Sequence, residues 1–374
     1  MANWKYVKIG DVCTVERGGS PRPIDKFITD DPNGINWIKI GDTDDSMYIT
    51  KKAQKIIPEG MKKTRYVQPG DFLLSNSMSF GRPYILKIDG CIHDGWLVLR
   101  DNNGIFDKRF LYYYLGSPST YQKFKNMAVG GVVNNLNSEM VRGVTVPVPT
   151  MEEQLSIVST LDKVTELIAL RKEQLAKLDQ LVKSRFIELF GDPITNPMGW
   201  KLHRFDSLCE NLDSRRKPIT ASEREAGIYP YYGASGIVDH VADYLFDEDI
   251  LLVSEDGANL LMRSTPIAFS VSGKVWVNNH AHVVRFEKMS MQKYIEVFFS
   301  LIDISDHITG SAQPKLNQAK LNAMMFPVPT DDRLEAFLSF VEQTDKSKLA
   351  IQQSLDKLEL LKKSLMQEYF EERS

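Results

Sequence analysis

The chain has 374 residues, of which 43% are hydrophobic and 25% charged, a composition typical of a globular protein with more than one domain. No apolar run approaches the roughly 20 residues that a membrane span requires, and the first residues lack the apolar segment of a signal peptide, so we expect a cytoplasmic protein. The net charge of −3 gives little support to a nucleic-acid binder, although residues 1–150 hold 20 Lys and Arg against 15 Asp and Glu.

The cysteines predict neither a disulfide framework nor a zinc site, because Cys13, Cys91 and Cys209 are too few and too widely spaced. We therefore expect them to be small core residues in a reducing compartment.

The first region, residues 1–150, contains short β-rich runs at residues 84–88 and 96–99, which are bounded by Gly, Asp and Asn as strands are. Residues 110–115 have helix-like spacing, and no regular alternation of strand and helix appears. These features predict an α+β fold with mostly antiparallel strands and long loops.

Two polar loops in this region are rich in Ser, Asn and Arg, the kinds of side chain that contact base edges and phosphates, and in Gly, which allows close approach of the backbone. The candidate contacts in the first region are Ser75, Asn76, Ser77, Ser79, Arg82, Asn134 and Asn135. The alternative is that these are ordinary surface loops, and the sequence leaves it open.

The segment 151–190 has the pattern of a coiled-coil helix. Alternate steps of three and four residues from Leu161 to Leu189 meet apolar side chains except at Arg171 and Arg185, which is a 3.5-residue period. At 1.5 Å per residue, a helix of roughly 39 residues spans about 58 Å, the length of a spacer arm rather than of a core helix. Such a helix needs a partner that covers its apolar stripe.

A connector rich in turn residues follows, in which Gly191 ends the helix and Pro193 comes shortly after. With this connector, the second region occupies residues 191–330 and again mixes strand-like and helix-like runs, at residues 282–286 and 291–301. Its polar loops supply the candidate contacts Asn259, Arg263, Lys274, Asn278, Asn279, His280 and Lys315.

A second long helix is predicted over residues 331–374, with a less regular seam from Val341 to Tyr369. A shift of 180 residues superimposes Leu178 on Leu358 and the neighbouring identical residues on each other. Each helix is therefore the natural partner of the other.

The repeat extends beyond the helices. Pro-Val-Pro-Thr precedes both helices, at residues 147–150 and 327–330, and Leu-Asn recurs at residues 136–137 and 316–317. We expect these prolines to interrupt any sheet and to mark a hinge before each helix. The order is thus globular region, helix, globular region, helix, which is one unit used twice.

No pattern for catalysis or nucleotide binding appears in the sequence, since it lacks a P-loop, a dinucleotide-binding glycine fingerprint and a G-x-S-x-G elbow. His280 and His282 would share one face of a strand and could bind a metal, but no third ligand is suggested by the spacing. We predict a structural or DNA-contacting role for these histidines, no catalytic residue and no metal site.

In these features the chain resembles the specificity subunits of type I restriction–modification systems. The resemblance rests on the duplicated plan, on Gly-Asp-Phe-Leu-Leu-Ser at residues 70–75, on the two Pro-Val-Pro-Thr segments and on the connector with Phe-Gly-Asp-Pro at residues 190–193 and Gly-Trp at 199–200. Residues 231–282 are similar to one recurring type of target-recognition domain. The resemblance covers nearly the whole chain.

The resemblance implies two target-recognition domains, at residues 1–150 and 191–330, each of which recognises half of a split, asymmetric sequence of double-stranded DNA. It implies that the helices at 151–190 and 331–374 pair as an antiparallel coiled coil, set the gap between the half-sites and dock two modification subunits. S-adenosylmethionine would bind to those subunits, and ATP and Mg²⁺ to restriction subunits, with no cofactor in this chain. If each domain recognises its own half-site, we expect Arg82→Ala to change the half-site of the first domain and Arg263→Ala that of the second, the alternative being that either arginine is a structural surface residue.

Two alternatives belong to other classes of protein. The chain could be a helical scaffold that joins proteins without binding DNA, which a salt-dependent DNA-binding assay would distinguish. It could also be a methyltransferase with unusual motifs, which binding of S-adenosylmethionine by the isolated chain would reveal.

Overall fold

A computed structural model of the chain describes residues 4–76, 81–128, 135–310 and 312–371. The chain divides into two compact units. Unit 1 comprises Met1–Leu170 and Leu355–Ser374, and unit 2 comprises Arg171–Ser354. Each unit thus contains one globular region and a part of both long helices.

Among its described residues, the first globular region, in unit 1, contains twelve strands and four short helices, and the start of a long helix follows. The strands are β1 (Lys5–Lys8), β2 (Thr14–Arg17), β3 (Ile28–Thr29), β4 (Ile35–Ile38), β5 (Tyr48–Ile49), β6 (Gln54–Ile56), β7 (Arg65–Val67), β8 (Phe72–Ser75), β9 (Pro83–Leu86), β10 (Gly90–Ile92), β11 (Trp96–Arg100) and β12 (Thr145–Val148). The helices are α1 (Ile9–Val12), α2 (Lys108–Leu115), α3 (Pro118–Ala128), α4 (Ser138–Gly143) and the long α5 (Met151–Phe190).

The strands of unit 1 form two five-stranded sheets, in the orders β2-β11-β8-β9-β5 and β3-β6-β4-β10-β7, while β1 pairs with β12. Most pairs are antiparallel, as predicted, and the parallel ones are β4 with β10 and β5 with β9. All four residues of β8 are buried, which places this strand at the centre of its sheet. The largest core cluster lies between this sheet, helix α2 and the ends of the long helices.

In the part of unit 2 that the structure describes, this plan is repeated with ten strands. They are β13 (Lys201–Arg204), β14 (Glu210–Asn211), β15 (Ala226–Gly233), β16 (Gly236–Val241), β17 (Phe246–Asp247), β18 (Ile250–Ser254), β19 (Ala268–Val271), β20 (Lys274–Val277), β21 (Ala281–Arg285) and β22 (Met325–Val328). The helices are α6 (Asn259–Met262), α7 (Met289–Leu301), α8 (Gln318–Ala323) and the long α9 (Asp331–Phe370). Two four-stranded sheets have the orders β14-β21-β18-β19 and β16-β15-β20-β17, and β13 pairs with β22.

The two long helices pair in antiparallel fashion, as the resemblance implied. In unit 2, Arg171 Nε donates to Ser354 Oγ at 3.2 Å, and Lys348 Nζ lies 2.6 Å from the Asp179 carboxylate. Later residues of α5 thus contact earlier residues of α9, as expected for an antiparallel pair. In unit 1, residues 157–161 of α5 share a core cluster with Met366 and Phe370 of α9.

The predicted seams face the interior of this pairing. Every seam residue from Leu161 to Leu189, and from Val341 to Tyr369, is buried or half-buried. The cationic seam residues reach outward to partners: Lys348 pairs with Asp179, and Arg185 lies over the Phe340 ring. The predicted α+β architecture with paired long helices is confirmed.

The internal repeat holds at the level of strand register. Lys5 pairs with Val148 at the start of the β1–β12 ladder, and Lys201 pairs with Val328 in the β13–β22 ladder. The expectation that the Pro-Val-Pro-Thr prolines interrupt any sheet is wrong, because Pro147 lies within β12 as Pro327 lies within β22. A two-stranded sheet accepts proline, since each strand has an edge where the missing N–H group is not needed.

A repeated ion cluster links the strands of each unit, although the sequence did not reveal it. In unit 1, Arg100 contacts the carboxylates of Glu16 at 2.9 Å and Asp71 at 3.0 Å. In unit 2, Arg285 likewise contacts Glu210 and Glu248, the latter at 2.9 Å. Each arginine therefore joins the first strand of its sheet to the start of the central strand.

The cysteines lie apart as free thiols, Cys13 and Cys91 buried and Cys209 half-buried. Burial raises the pKa of the Cys91 thiol to about 11. Among the described residues, no helix is long and apolar enough to cross a membrane.

Candidate nucleic-acid interface

One residue in unit 1, directly after the central strand β8, joins three loops. The Asn76 backbone N–H donates to the Gly95 carbonyl at 2.9 Å, and its carbonyl accepts the Leu136 N–H at 3.0 Å. The Asn76 side chain also donates, through Nδ2, to the Asp94 carbonyl at 2.8 Å. The loops after β8, before β11 and before α4 therefore meet at Asn76.

Unit 2 has the same junction with a different side chain. The Glu255 N–H, directly after β18, donates to the His280 carbonyl at 2.9 Å, and the Glu255 carbonyl accepts the Leu316 N–H at 2.8 Å. Because the backbone bonds match while asparagine is replaced by glutamate, the repeat conserves the frame of the junction and varies its chemistry.

The repeated Leu-Asn pairs anchor one loop of each junction. Leu136 and Leu316 are buried, at 1% and 0% exposure. The next residue is the N-cap of a helix in both cases, since Asn137 accepts from the Met140 N–H and Asn317 accepts from the Lys320 N–H. This explains why two otherwise different loops end in the same dipeptide.

A buried ion cluster surrounds the junction of unit 2. Arg216 Nη1 lies 2.7 Å from Glu255 Oε2, and its Nη2 lies 3.3 Å from Asp213 Oδ2. The side chains of all three are at most 13% exposed. Lys315 Nζ reaches the other Glu255 oxygen at 3.0 Å. The predicted loops of unit 2 are thus held together by ion pairs as well as by backbone bonds.

His282 completes this cluster from strand β21. Its Nδ1 lies 2.6 Å from Asp213 Oδ2 and its Nε2 lies 2.8 Å from the Leu316 carbonyl. The buried ring therefore links the Asp213 carboxylate to the Leu316 carbonyl. His282 therefore has the structural role that the sequence allowed, and it connects the strand to the last loop.

The cluster also sets the protonation of its acids. Burial by itself raises the pKa of Asp213, but the hydrogen bond from His282 and the charges of His282 and Arg216 hold the pKa below its usual value. Burial by itself also raises the pKa of Glu255. Hydrogen bonds from Arg216 and Lys315 outweigh this effect, so the pKa of Glu255 is lowered too. Both carboxylates are therefore ionised partners of the surrounding cations.

The predicted contacts of unit 1 divide into three groups. Ser75 and Asn76 are fully buried, and Ser75 Oγ accepts the Arg82 backbone N–H at 3.0 Å. In place of the predicted contact role, the structure gives these two side chains a positioning role. The candidates Ser77, Ser79 and Asn134 lie outside the described residues. Arg82 and Asn135 remain at or near the surface.

Arg82 is held by an ion pair on the surface. Its Nη2 lies 3.0 Å from Asp45 Oδ1 and 3.2 Å from the Asp44 carbonyl, and its guanidinium lies 5.4 Å from the centre of the Tyr84 ring. Because the side chain is still 43% exposed, a ligand can reach it. Its role in contacting DNA stays a prediction.

In unit 2 the structure brings together the candidates at the junction. Asn279 is exposed, His280 Nδ1 lies 2.9 Å from the Asp256 carboxylate, and Lys315 lies beside Glu255. Asn278 is 7% exposed, and its Oδ1 accepts the His280 N–H, so its side chain positions the loop. Among the described residues, no three His, Cys, Asp or Glu side chains converge to hold a metal ion.

Asn259 and Lys274 of unit 2 make contacts of their own. Asn259 closes its own loop, donating to the Thr265 carbonyl and accepting from the Thr265 N–H, each at 3.0 Å. Lys274 is at the far end of β20 from Asn278, with its Nζ 4.7 Å from the centre of the Tyr244 ring. The Asn259 side chain therefore holds its own loop, and the Lys274 ammonium lies over an aromatic ring.

Arg263 has contacts that favour a structural role. Its Nη1 and Nη2 donate to the carbonyls of Phe299 and Ile302, each at 3.0 Å, at the C-terminal end of α7. Its backbone adopts the left-handed conformation with φ 53°, and burial lowers the pKa of its guanidinium. The side chain thus caps a helix.

We expect Arg263→Ala to lower the free energy of unfolding by about 1–3 kcal/mol, because two half-buried carbonyls lose their donors. We also expect it to leave base preference unchanged, contrary to the expectation from the sequence. Urea unfolding tests the first point, and binding to a DNA library tests the second. The control Lys274→Ala, at an exposed position, should change stability by about 0.5 kcal/mol or less. An Arg263 variant of normal stability with altered base preference would restore the contact role.

Several residues that build the junctions were not predicted from the sequence. In unit 1, Ser20 Oγ donates to Asp94 at 2.7 Å and Arg22 extends from the same loop with its side chain 82% exposed. In unit 2, the missed residues are Asp213 and Arg216. The available signal was that both loops directly follow the first strand of a repeated sheet and are rich in polar residues.

The comparison with protein families decides the identity of this architecture. A family model described as "Type I restriction modification DNA specificity domain" matches residues 1–180 and again residues 197–363. The chain belongs to this family. It is a DNA-specificity component of a type I restriction–modification system, and specificity subunits of this family are not themselves catalytic.

Individual members of the family match over different lengths. The chain is similar to the type I restriction enzyme MjaIX specificity subunit of Methanocaldococcus jannaschii, with 22% identity over 91% of this chain and 86% of the relative. The EcoprrI specificity subunit of Escherichia coli is also 22% identical, over 91% of this chain and 87% of the relative. A putative specificity subunit of Haemophilus influenzae, S.HindORF215P, is 32% identical, but this match spans 35% of the chain and 33% of the relative.

Solved specificity subunits have the same fold. A crystal structure of the S subunit of a type I restriction–modification system from M. genitalium has a TM-score of 0.59 at 15% identity, over 100% of this chain and 97% of that one. A chain from a study of complex assembly and conformational transition of the type I system has a TM-score of 0.56 at 16% identity, over 97% of this chain and 96% of that one.

Proposed function

We propose that this specificity subunit recognises a bipartite, asymmetric DNA target, with one half-site contacted by unit 1 and the other by unit 2. The observation that carries the proposal is the repeated junction. The same backbone bonds join three loops in both units, at Asn76 and at Glu255, while the side chains around them differ. A conserved frame with different polar groups suits two modules that bind the same kind of polymer and recognise different bases.

The partners follow from the same proposal. The chain would direct methylation by two modification subunits and cleavage by restriction subunits, with S-adenosylmethionine bound to the former and ATP and Mg²⁺ to the latter. The paired helices would fix the gap between half-sites. Joining two modules in this way raises affinity only for DNA that presents both half-sites at the matching distance.

Arg82 provides the sharpest test in unit 1. If Arg82 contacts a base, Arg82→Ala should weaken recognition by about 1–3 kcal/mol and relax one position of a single half-site. The measurement is methylation by the assembled modification complex, scored on a DNA library randomised in both half-sites.

The matched control removes the partner of Arg82 instead. Asp45→Asn breaks the 3.0 Å ion pair but keeps the guanidinium, so it should retain the preference that Arg82→Ala loses. Equal losses of base preference in both variants would show that Arg82 has a structural role only. A change in both half-sites together would contradict the assignment of one half-site to each unit, and a wild-type complex with no base preference would contradict the proposed function itself.

A further inference from the structure

A short motif recurs in the loop after the first strand of the central sheet of each unit. It is a cation followed by Pro-Ile, at residues 22–24 after β2 and at residues 217–219 after β14. The strands β2 and β14 hold the same place, since β2 pairs antiparallel with β11 at the edge of its sheet and β14 pairs in the same way with β21. The motif therefore belongs to the internal repeat, although the loops around it differ.

The isoleucine of each motif packs against the second sheet of its unit. Ile24 packs against a core cluster that contains Trp37 of β4, and Ile219 packs against one that contains Trp276 of β20. Burial of apolar surface explains why isoleucine recurs, and proline restricts the backbone that leads to it. The cation before the proline is exposed in both units, so packing does not explain why a charge recurs there.

In unit 1 the motif lies beside the loop junction. Ser20 Oγ donates to the Asp94 carboxylate at 2.7 Å, and the Asp94 carbonyl accepts the Nδ2–H of the junction residue Asn76 at 2.8 Å. Arg22 Nη2 also lies 3.4 Å from Asp94 Oδ2, but the Arg22 side chain is 82% exposed. An ion pair of this length and exposure contributes little to stability. The guanidinium is therefore held near the junction and remains able to bind an anion.

In unit 2 hydrogen bonds fix the backbone of the motif beside the junction. The Lys217 N–H donates to the Val277 carbonyl at 3.3 Å, and the Lys217 carbonyl accepts the Trp276 Nε1–H at 2.7 Å. The preceding residue, Arg216, contacts the junction residue Glu255 at 2.7 Å. Because its backbone is anchored while its side chain is exposed, Lys217 presents an ammonium group to solvent at this place.

The two motifs share a charge but not a shape. Arg22 has a planar fork that can recognise a base edge with two hydrogen bonds, whereas Lys217 carries a compact ammonium group. At the junctions, by contrast, the polar group itself changes from Asn76 to Glu255. A positive charge that is shared by two units with different polar groups fits the part of DNA that is the same in every half-site, which is the phosphate backbone.

We propose that Arg22 and Lys217 each contact a DNA phosphate and thereby position their own unit on its half-site. A phosphate oxygen accepts a charge-assisted hydrogen bond from the guanidinium in unit 1 and from the ammonium group in unit 2. This inference rests on the proposed function. It gives both residues a contribution to the affinity for DNA of any sequence, and no part in the choice of base.

The test measures DNA binding by the full chain assembled with its modification subunits, by fluorescence anisotropy at several salt concentrations. Arg22→Ala and Lys217→Ala should each weaken binding by about three- to tenfold at low salt, for the target and for unrelated DNA alike. Each should reduce the slope of log K against log salt concentration by about 1, and the double variant should reduce it by about 2. Base preference in a library randomised in both half-sites should not change.

Two further sets of variants separate a phosphate contact from other roles. Arg22→Lys and Lys217→Arg should keep the affinity and the slope, because a phosphate contact requires a positive charge rather than one particular shape. Lys26→Ala and Lys320→Ala are the matched controls, since they remove exposed cations whose counterparts in the other unit are uncharged. The controls should bind DNA as the wild-type chain does, and circular dichroism should show the same melting curve for every variant.

An unchanged slope in either alanine variant, or equal losses in the controls, would overturn the phosphate contacts and leave the proposed function intact. A changed base preference in Arg22→Lys or Lys217→Arg would overturn them as well, because it would reveal a base contact. A wild-type complex that does not bind DNA would contradict the proposed function itself.

Discussion

Replacing Phe186 with alanine should lower the free energy of unfolding by about 3–5 kcal/mol, one of the largest effects expected from a single apolar substitution in this protein. Phe186 is fully buried where α5, α7 and α9 meet. Its ring centre lies 5.1 Å from that of Tyr294 and 5.6 Å from that of Phe337. Truncation would leave a cavity and remove edge and stacking contacts at the same time.

The control for this substitution is the next residue, Ile187, which is 40% exposed on the same helix. Ile187→Ala should lower the free energy of unfolding by at most about 1 kcal/mol, because little apolar surface returns to water. Urea unfolding of unit 2, followed by tryptophan fluorescence or circular dichroism, compares the two variants. Equal losses would show that the junction of the three helices does not depend on the Phe186 ring.

Replacing Arg216 with methionine should have an effect of similar size, about 3–5 kcal/mol at neutral pH. The change keeps most of the apolar stem but removes the cation that faces Asp213 and Glu255. Both carboxylates would then be buried with fewer partners, and Glu255 belongs to the backbone junction of the loops. We therefore expect weaker DNA binding by unit 2 as well as lower stability.

The dependence of this effect on pH follows from the acids. The pKa values of Asp213 and Glu255 lie below their ordinary values of 3.8 and 4.5, so their contribution to stability is present above those values and is lost as the pH falls through the lowered ones. Without Arg216, both acids bind protons more readily in the folded state. The free energy of unfolding that Arg216→Met loses should therefore be greatest at neutral pH and become smaller below about pH 4.

Arg215 is the matched control for Arg216, since it is the adjacent residue and also pairs with a glutamate. It contacts Glu248 at 2.6 Å, but its side chain is 43% exposed. Arg215→Met should lower the free energy of unfolding by about 1 kcal/mol or less, because water screens the pair. A smaller loss for Arg216→Met than for Arg215→Met, measured by urea unfolding across the pH range, would mean that the buried cluster does not hold the loops.

The long helices were the most predictable part of the fold. The 3.5-residue period defined the seams from Leu161 and Val341, and the helices end at Phe190 and Phe370, where the aligned segments end. Such signals are local, because neighbours three and four residues apart share a face whatever the rest of the chain does. The α+β class of the globular regions followed from the same kind of local pattern.

Individual contact residues were much less predictable. Ser75 and Asn76 belong to a loop rich in polar residues, yet both side chains are fully buried. Arg263 appeared to be a surface cation, yet it caps α7 through carbonyls 36 and 39 residues further along the chain. In each case a polar side chain satisfies a backbone group that the sequence pattern does not reveal.

The sequence by itself determined that one unit is used twice, that a long apolar-faced helix ends each unit, and that polar loops come between strand and helix at matching places. These properties depend on residue order over a few turns or strands, and on direct comparison of the two halves. The tertiary structure alone decided which polar side chains remain free, because that depends on pairs as distant as Asp213 and His282, 69 residues apart. Burial turns such a pair into a structural tie, whereas solvent exposure leaves the Arg82 side chain accessible to a ligand.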